Sequence, residues 1–396
     1  MSLKETCRIL IFFAAMFAVP VVHGEQIGGV EFSGSGFLTV GVGKMLGGTR
    51  ATVLDRNCPC FIADYAQGAV YDGRNGLQWG QDSKLGLQGT ATLPNANFSV
   101  TVQAVARGVH NGNIDLEWLY GSYQLTDSTA IQFGRKRLPM FYYSDIQAVG
   151  FALPWTHLPP QFYGWETVNY NGVNIRHQAR WGDWAATINA LVGNENASDS
   201  GYWQIYNGKQ SRTSVKLNNI IGGDLSLAKD WLEARLVYIQ SGIQRESFTI
   251  WDDASQNYVP ATDPGLPDNG THQKIYGFAL NMDPGDWIFR GELLHINRPG
   301  ATYKDYSQLV GIGHRFGEWQ LMATVSHYRG EAVVANGGDP QGQENHTSRS
   351  LTLRYNLTHT SDIKVQLDSQ KDQGGVNWTP RYGDARLLTL SYDKVF

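Results

Sequence analysis

Four segments of this chain pass from a short turn directly into a tryptophan: Gly182-Asp183-Trp184, Lys229-Asp230-Trp231, Gly285-Asp286-Trp287 and Gly317-Glu318-Trp319. After Trp184 and after Trp319, apolar and polar residues alternate with the period of two that a pleated strand imposes. A bilayer boundary stabilises an amphipathic indole at the same end of strand after strand, whereas a soluble sheet has no reason to repeat one there. The pattern therefore predicts a β-barrel in a lipid membrane.

The first residues of the chain have the form of an export signal. A short basic segment precedes an apolar run from Ile9 to Val22, and Val22-His23-Gly24 resembles the small-residue site of a signal peptidase. The alternative is a membrane-spanning helix, but this run is shorter than the ~20 residues that a bilayer needs. We therefore expect residues 1–24 to be cleaved and residues 25–396 to form a single barrel domain.

Charge and helix content narrow the class of protein further. Removing the leader takes away Lys4, Arg8 and Glu5, so the totals of 32 basic and 36 acidic residues fall to 30 and 35, a formal balance of −5. This mild acidity argues against nucleic acid as a partner. Outside the leader, the sequence has no apolar stretch as long as a spanning helix, so a membrane protein of this sequence must close a sheet on itself to pair its backbone groups.

Alternating polarity predicts sixteen strands. They lie near residues 32–45, 84–93, 98–107, 114–125, 129–137, 170–179, 184–192, 219–228, 232–240, 273–282, 287–296, 307–316, 319–328, 349–357, 363–370 and 387–396. Seven short turns alternate with eight longer loops. Sixteen antiparallel strands require these numbers when both ends of the chain lie on the same side of the membrane. The predicted fold class is all-β, a 16-stranded antiparallel transmembrane β-barrel with short periplasmic turns and long extracellular loops. A soluble sandwich would also alternate, so alternation by itself does not separate the two.

The end of the chain carries a resemblance to a known family. Leu388, Leu390, Tyr392 and the terminal Phe396 match the assembly signal of Gram-negative outer-membrane proteins, whereas Lys394 departs from the apolar residue that is usual there. Together with the sixteen strands, the mature chain resembles the trimeric general porins of proteobacteria. The resemblance implies a homotrimer in the outer membrane, contacts with lipid and lipopolysaccharide, and recognition of the last strand by the barrel-assembly machinery through Phe396.

In the porins that this chain resembles, the third long loop folds into the barrel and sets its narrowest point. Here the third loop is aromatic and nearly uncharged, and packing inside the wall would bury its rings. Its carboxylates, Asp145 and Glu166, would face cations on the wall and create a transverse field across the pore. Four arginines on the polar parity of their strands are candidates for those cations: Arg107, Arg176, Arg290 and Arg354.

A basic triplet, Arg135-Lys136-Arg137, precedes the third loop. Strict alternation would point Arg135 and Arg137 at lipid, but a bulge at Gly134 would reset the phase and turn both into the pore. Without that bulge, Lys136 would line the pore instead. The alternative is a basic cluster whose side chains extend to the membrane interface at the strand end.

Cys58 and Cys60 flank Pro59 and are the two cysteines left after removal of the leader. A local disulfide, a metal site and two free thiols are the alternatives. Two ligands alone do not make a zinc site, and a bridge across one residue closes a small ring. We favour the loop disulfide and expect no metal.

The function that this sequence predicts is a water-filled channel for passive diffusion of small hydrophilic solutes and ions, because a barrel of this strand number encloses an aqueous passage. The excess of wall arginine over loop carboxylate predicts a mild anion preference. No cofactor is expected, and we expect the protein not to be an enzyme. The segment from Gly291 to His295 contains Glu292 and His295 but lacks the first histidine of the zinc-protease motif. The alternatives are a secreted all-β binding protein and an outer-membrane barrel enzyme.

Overall fold

Backbone pairing in the computed structural model runs around sixteen antiparallel strands and joins the last strand to the first. The structure describes residues 25–73, 76–261, 269–299, 303–332, 341–374 and 381–396. The barrel strands are β1 Val30–Gly48, β2 Lys84–Leu93, β3 Phe98–Arg107, β4 Ile114–Thr126, β5 Thr129–Arg137, β6 Asn169–Trp181, β7 Trp184–Ala197, β8 Arg212–Lys229, β9 Leu232–Asp252, β10 His272–Met282, β11 Trp287–Arg298, β12 Tyr303–Phe316, β13 Trp319–Ala332, β14 Gln341–Thr358, β15 Ser361–Asp372 and β16 Ala385–Val395.

The prediction of a 16-stranded antiparallel barrel is confirmed. Strands β2, β3 and β5 have the predicted bounds, and most of the others extend further toward the extracellular side. The largest extensions begin where the alternation breaks. In β8, for example, the register shifts between Asn218 and Ile221, so the strand continues past a point where the sequence loses its period.

Short elements lie between the barrel strands or beside them. Two helices occur in the loops that the structure describes, α1 Pro160–Tyr163 and α2 Gly201–Asn207. Short strands and 3-10 turns are found at Glu25–Ile27, Thr52–Val53, Arg56–Asn57, Phe61–Asp64, Ala69–Tyr71, Pro94–Ala96, Gly108–His110, Ser144–Ile146, Gly150–Ala152 and Asn257–Pro260. Within the described residues, no helix has the length and apolar character to cross a bilayer. The predicted leader, residues 1–24, lies outside the described residues.

The two faces of the wall differ as the alternation predicts. Large apolar side chains are exposed on the outside, for example Leu351 and Leu353 on β14 and Val365 and Leu367 on β15. Three of the four tryptophans on which the prediction rests, Trp231, Trp287 and Trp319, are 50%, 47% and 42% exposed at the periplasmic ends of their strands. The fourth, Trp184, is half-buried, and its neighbour across the turn, Trp181, is 87% exposed. On β15 the inward positions are polar, for example Lys364, Gln366 and Asp368. This arrangement is the apolar band with aromatic edges that a bilayer stabilises.

Closure of the barrel is completed by the last residue of the chain. The Gly36 amide donates to the Phe396 carbonyl at 2.7 Å, and the Phe396 amide donates back to the Gly36 carbonyl at 2.9 Å. The Phe396 ring covers Gly36, where an added Cβ would overlap it. Gly36 therefore provides the flat surface on which the C-terminal ring packs.

We expect Gly36→Val to weaken closure, because overpacking a close contact costs about 1–3 kcal/mol. The change should lower the fraction of protein that migrates as a folded band on gels of unboiled samples, and should lower the urea midpoint of unfolding. The matched control is Gly89→Ala, where the nearest side-chain atom would lie 3.8 Å from the added Cβ. Equal midpoints for the two variants would contradict the role given to Gly36.

Candidate functional site

The segment between β5 and β6, residues 138–168 and named loop 3 here, folds into the interior of the barrel. Its ends meet where the Leu138 amide donates to the Val168 carbonyl at 2.9 Å. Its buried apolar and aromatic side chains are Leu138, Met140, Phe141, Tyr143, Leu153, Trp155, Phe162, Tyr163 and Trp165. The expectation of an inward-folded third loop is confirmed.

Loop 3 packs on an aliphatic half of the inner wall. Inward positions on β6–β13 carry apolar side chains where the lumen of a porin-type barrel is ordinarily polar. They are Tyr170, Leu191, Leu217, Ile220, Val237, Ile239, Ile243, Ile275, Ile288, Leu294, Ile296, Leu309 and Met322. Removing this surface and the loop rings from water stabilises the docked loop. Loop 3 is therefore a packed part of the interior.

Hydrogen bonds fix the middle of loop 3 to β13 and β15. Trp155 is fully buried, and its indole Nε1 donates to Thr324 Oγ1 at 2.9 Å. The next amide, Thr156 N, donates to Gln366 Oε1 at 2.8 Å. The loop backbone is thus held to one register on the wall.

A second anchor joins loop 3 to β11. The buried carboxylate of Glu292 accepts from the Tyr142 amide at 3.0 Å and from the Tyr163 hydroxyl. Burial, together with the charge of Glu292, raises the pKa of Tyr163 well above its usual range. Tyr163 therefore stays a neutral donor to Glu292 at physiological pH.

His157 of loop 3 lies between two carboxylates on opposite sides. Its Nδ1 is 3.3 Å from Asp82, which belongs to the loop between β1 and β2, and its Nε2 is 3.4 Å from Asp368 on β15. Burial alone would lower the pKa of His157, but the two carboxylates raise it to about 10. Burial would raise the pKa of Asp82, yet His157 holds it below its usual value. At neutral pH the contact is therefore a cation between two anions.

The loop backbone comes closest to the wall at Gly150. The Lys364 ammonium donates to the Gly150 carbonyl at 2.7 Å and pairs with Asp393 at 2.9 Å. A Cβ at Gly150 would overlap the Asp393 carboxylate. Glycine is required here by close approach of the backbone, not by its dihedral angles.

Two of the predicted wall cations are neutralised at the periplasmic ends of their strands. Arg290 pairs with Asp283 at 3.1 Å and donates from Nε to the Tyr143 hydroxyl at 2.8 Å. Arg354 pairs with Asp362 at 2.8 Å. Both side chains support loop 3 or the wall, so neither presents an unpaired charge to the interior.

Arg107 and Arg137 share a cluster with carboxylates near the extracellular ends of β3–β5. Arg107 pairs with Asp115 at 2.9 Å and with Glu117, and Arg137 pairs with the same Glu117 at 3.0 Å. Both arginines are nearly fully buried, at 6% and 4% exposure. The structure therefore brings these two predicted residues together, as ion-paired members of the wall.

The bulge expected at Gly134 is wrong. Pairing of β5 with both β4 and β6 continues through Gly134 without a register shift. Arg135 lies opposite Leu119 in this ladder, and its guanidinium pairs with the buried carboxylate of Glu195 at 2.9 Å. Glycine tolerates the backbone conformation of a bulge without requiring one, so Gly134 suggested a bulge that does not form. Lys136 is the triplet member on the inward parity.

One side of the interior is left open by loop 3. Inward polar residues of β2–β7 are exposed or half-buried there: Gln88, Thr90, Ser99, Ser122, Gln132, Arg176, Thr187 and Asn189. Lys136 Nζ donates to Asn174 Oδ1 at 3.2 Å and lies 5.0 Å from the centre of the Tyr120 ring. The charges of Asp145, exposed on loop 3, and of Arg176 both act on Lys136. Among the described residues, neither Lys136 nor Arg176 has an ion-pair partner.

Glu166, the other predicted loop carboxylate, lies near the extracellular end of loop 3. It is 4% exposed, pairs with Arg245 on β9 at 2.5 Å and accepts from Trp203 Nε1 at 2.8 Å. It is therefore held within the mouth and is separate from the open side where Asp145 lies.

Loops from opposite sides of the barrel meet across the extracellular mouth. Loop 1 (residues 49–83) connects β1 to β2, and loop 8 (residues 373–384) connects β15 to β16. The helix α2 lies in the loop between β7 and β8, which are on the opposite side of the barrel. The Tyr382 hydroxyl donates to the Ile205 carbonyl, and the backbones of Gly68 and Gly201 are in contact. These loops share a buried cluster, named the cap here: Cys58, Cys60, Ile62, Tyr65, Val70, Ile205 and Tyr382.

The two cysteines belong to the cap. Their sulfur atoms are 2.18 Å apart, in the arrangement of a disulfide. Below the cap, a cavity of about 40 Å³ separates loop 1 from loop 3 and is lined in part by Asp64, Lys84 and Gln147. That volume accommodates a few water molecules at most.

Sequence reasoning missed several residues that hold the interior together. Lys364, Gln366 and Asp368 were visible as the polar face of one strand, but their pairing with loop 3 depends on where that loop docks. The ion pair of His157 with Asp82 joins two loops far apart in the chain. Such contacts have no period or spacing that a sequence pattern could reveal. The cap was missed for the same reason.

Comparison with known proteins places the fold. No protein-family model and no curated protein sequence matches the chain. Among solved structures, an anion-selective porin from Comamonas acidovorans is similar over 93% of this chain and 100% of its own, at 13% identity and a TM-score of 0.57. OmpF of Salmonella typhi in complex with daunomycin covers 94% and 100%, at 11% identity and a TM-score of 0.58. The outer-membrane channel DcaP of Acinetobacter baumannii covers 95% and 100%, at 11% identity and a TM-score of 0.56. The chain has the porin fold.

The ion triple at His157 gives a pH dependence. Because folding raises the pKa of His157 from its ordinary value of about 6.5 to about 10, the stability it contributes is fully present below pH ~6.5 and is lost as pH rises through ~10. We expect hydrogen exchange in residues 150–163, corrected for intrinsic rates, to speed up across that range.

In His157→Gln the same segment should exchange faster at neutral pH and show little further change on raising the pH. The control is His359→Gln, in an exposed turn, which should keep the wild-type profile. An unchanged pH profile in His157→Gln would rule out this anchor.

Proposed function

We propose that this chain is an outer-membrane channel of a Gram-negative bacterium through which small hydrophilic solutes and ions diffuse passively. The observation that carries the proposal is a closed barrel, apolar outside, whose inward polar face on β2–β7 is left open by loop 3. An apolar outer band requires lipid around it. A lumen lined by polar side chains favours water within it.

The porin fold supports the same proposal. The neighbours described above are named as porins or as an outer-membrane channel. We propose further that residues 1–24 are removed on export, that the last strand directs assembly through Phe396, and that the mature barrel is a homotrimer. The mutual hydrogen bonds of Phe396 and Gly36 support a role for the terminal residue in closure.

We propose that charges on the open side of the interior give the channel a mild preference for anions. Most charges of the interior are neutralised in pairs, as at Arg354 with Asp362 and Arg107 with Glu117. On the open side, two cations, Lys136 and Arg176, face one exposed carboxylate, Asp145. A confined channel amplifies such a local excess because its walls have a low dielectric constant.

The first experiment is single-channel recording of purified protein in planar bilayers. Discrete conductance steps support a channel, whereas a barrel that stays sealed at every voltage contradicts one. Cell fractionation accompanies it: the protein should sediment with outer membranes. A protein recovered in soluble form from the periplasm would overturn the membrane assignment.

Reversing Lys136 and Arg176, which have no ion-pair partner in the described part of the chain, should reverse the ion selectivity. We expect Lys136→Glu with Arg176→Glu to shift the reversal potential in a KCl gradient from the anion side to the cation side, because the local charge changes from +1 to −3 with Asp145 included. Lys229→Glu, at a periplasmic turn outside the lumen, is the control for a charge reversal away from the open side; it changes the total charge by −2, against −4 in the double variant. A reversal potential that moves equally in both proteins would refute the placement of selectivity at Lys136 and Arg176.

Loosening the cap should widen access to the lumen. Ile205 is fully buried in the cap, and Ile205→Asp places a carboxylate there at a cost of several kcal/mol unless the loops separate. We expect larger conductance and faster entry of larger sugars in liposome-swelling assays. Gln204→Asp, at a half-buried position on the same helix, should behave as the wild type. Unaltered permeation in folded Ile205→Asp would show that the cap does not limit passage.

A further inference from the structure

Lys136 is held in one position on the open side of the interior by two amide side chains. Its Nζ donates to Gln132 Oε1 and, at 3.2 Å, to Asn174 Oδ1. The Asn174 amide donates in turn to Gln132 Oε1 at 3.2 Å, and the Tyr170 hydroxyl donates to Asn174 Oδ1 at 3.2 Å. These bonds orient both amides and fix the ammonium at one point of the inner wall.

Two glycines make room for the Lys136 side chain. Gln132 lies four positions earlier on the same strand, so the side chain runs back over Gly134, the inward position between them. Gly134 is the ladder partner of Gly172 on the next strand. The ammonium can therefore lie against the wall at the level of Gln132, with one of its three donors left for a solute.

Two further charges lie near the Lys136 ammonium. Arg176 is exposed on the same face two positions beyond Asn174, ~7 Å along the strand. Asp145 of loop 3 is exposed as well, and its charge acts on Lys136. The three charges sum to +1. The cost of confining an ion between low-dielectric walls grows with the square of its charge, whereas the attraction grows in proportion to it, so this point suits a monoanion.

A row of hydroxyl groups leads away from this point along the inner wall. Ladder pairing places three of them side by side on β2, β3 and β4: Thr92, Ser99 and Ser122. Ser122 is in turn the ladder partner of Gln132. All three side chains are half-buried, and within the described part of the chain none of the three hydroxyls has a hydrogen-bond partner. Because neighbouring strands are ~4.8 Å apart, Ser122 and Ser99 lie ~5 and ~10 Å from Gln132.

A solute that matches this surface carries one negative charge at one end and hydroxyl groups along a short chain. Serine hydroxyls and the Gln132 amide both donate and accept hydrogen bonds, so they recognise a polyol and gain nothing from a hydrocarbon chain. An aromatic anion fits less well. The Lys136 ammonium lies 5.0 Å from the centre of the Tyr120 ring and occupies the aromatic face nearest to it.

We propose that the open side of the interior binds polyhydroxylated monocarboxylates, the sugar acids, with the carboxylate at Lys136 and Arg176 and the hydroxyls along Ser122 and Ser99. These four residues are named the polyol site here. The proposal rests on the proposed channel function and specifies its solute: charge admits anions to the lumen, and the hydroxyl row selects one class among them.

The test measures the concentration of each solute that halves the KCl current through the reconstituted protein. Three probes of equal carbon number separate charge from hydroxyls: gluconate has both, hexanoate has the charge alone, and sorbitol has the hydroxyls alone. Two additional hydrogen bonds are worth about tenfold in affinity, so we expect gluconate to act at a roughly tenfold lower concentration than hexanoate. Gluconate should also act at a lower concentration than sorbitol. Equal potency of gluconate and either of the other probes would overturn the proposal.

Removal of the hydroxyls should abolish the difference between gluconate and hexanoate. We expect Ser99→Ala with Ser122→Ala to respond to the two anions alike. The matched control is Ser33→Ala with Ser35→Ala, which removes two exposed hydroxyls of the same inner wall on β1, ~19 Å from β5 around the barrel. The control should keep the wild-type difference, and identical behaviour of the two double variants would contradict the polyol site.

The charge of Asp145 gives a second test. The wild type should be blocked by gluconate at a lower concentration than by glucarate, the dianion of the same chain. Asp145→Asn raises the local charge from +1 to +2 and should shift that preference toward glucarate. A ratio of potencies that does not change would refute the preference for monoanions.

The channel and the polyol site can fail independently. Saturation-transfer NMR with gluconate measures binding to detergent-solubilised protein without any conduction, and the shift of the unboiled band on gels confirms folding of every variant. Protein that binds gluconate through Ser99 and Ser122 but never conducts refutes the proposed channel alone. Protein that conducts KCl but binds gluconate and hexanoate equally refutes the polyol site alone.

Discussion

The rest of this structure depends on one requirement: within hydrocarbon, every backbone N–H and C=O needs a partner from the protein itself. The first strand, β1, satisfies this requirement by forming backbone hydrogen bonds with two neighbouring strands. The lower part of β1, from Glu31 to Thr39, pairs with β2, and the part from Phe37 to Gly48 pairs with β16. That offset is the stagger that a tilted, closed barrel needs. Phe396 then supplies the last hydrogen bonds of the seam.

A closed barrel in lipid restricts the type of side chain on its outer face but not on its inner face. Lipid demands apolar side chains at every second position, whereas the inward positions can be aliphatic, charged or polar according to what they contact. In this chain, inward positions on β6–β13 include an aliphatic group, and those on β14–β16 carry buried charges such as Lys364 and Asp368. Loop 3 rests on both, burying its rings on the first and His157 beside the second. The open side is what remains.

This division explains how far sequence reasoning succeeds. The strands and the exposed tryptophans were predictable because lipid imposes a period of two and a fixed edge, and an aromatic loop such as loop 3 has few places to go except inward. The partners of Arg107, Arg290 and Glu166 were not predictable, because they depend on registers and loop positions that no local pattern encodes. Gly134 failed differently: a glycine permits a bulge without requiring one.

Ion pairing accounts for most of the charges inside the barrel. A charge taken from water without a partner is costly, so the charges buried by loop 3 are paired or hydrogen-bonded, as Lys364 is with Asp393. A charge without an ion-pair partner among the described residues must then be compensated by polar groups or by water. Lys136 donates to Asn174, and Arg176 is exposed on the open side, so these two cations mark the path that loop 3 leaves open. The same reasoning assigns the solvent path to the open side of the interior.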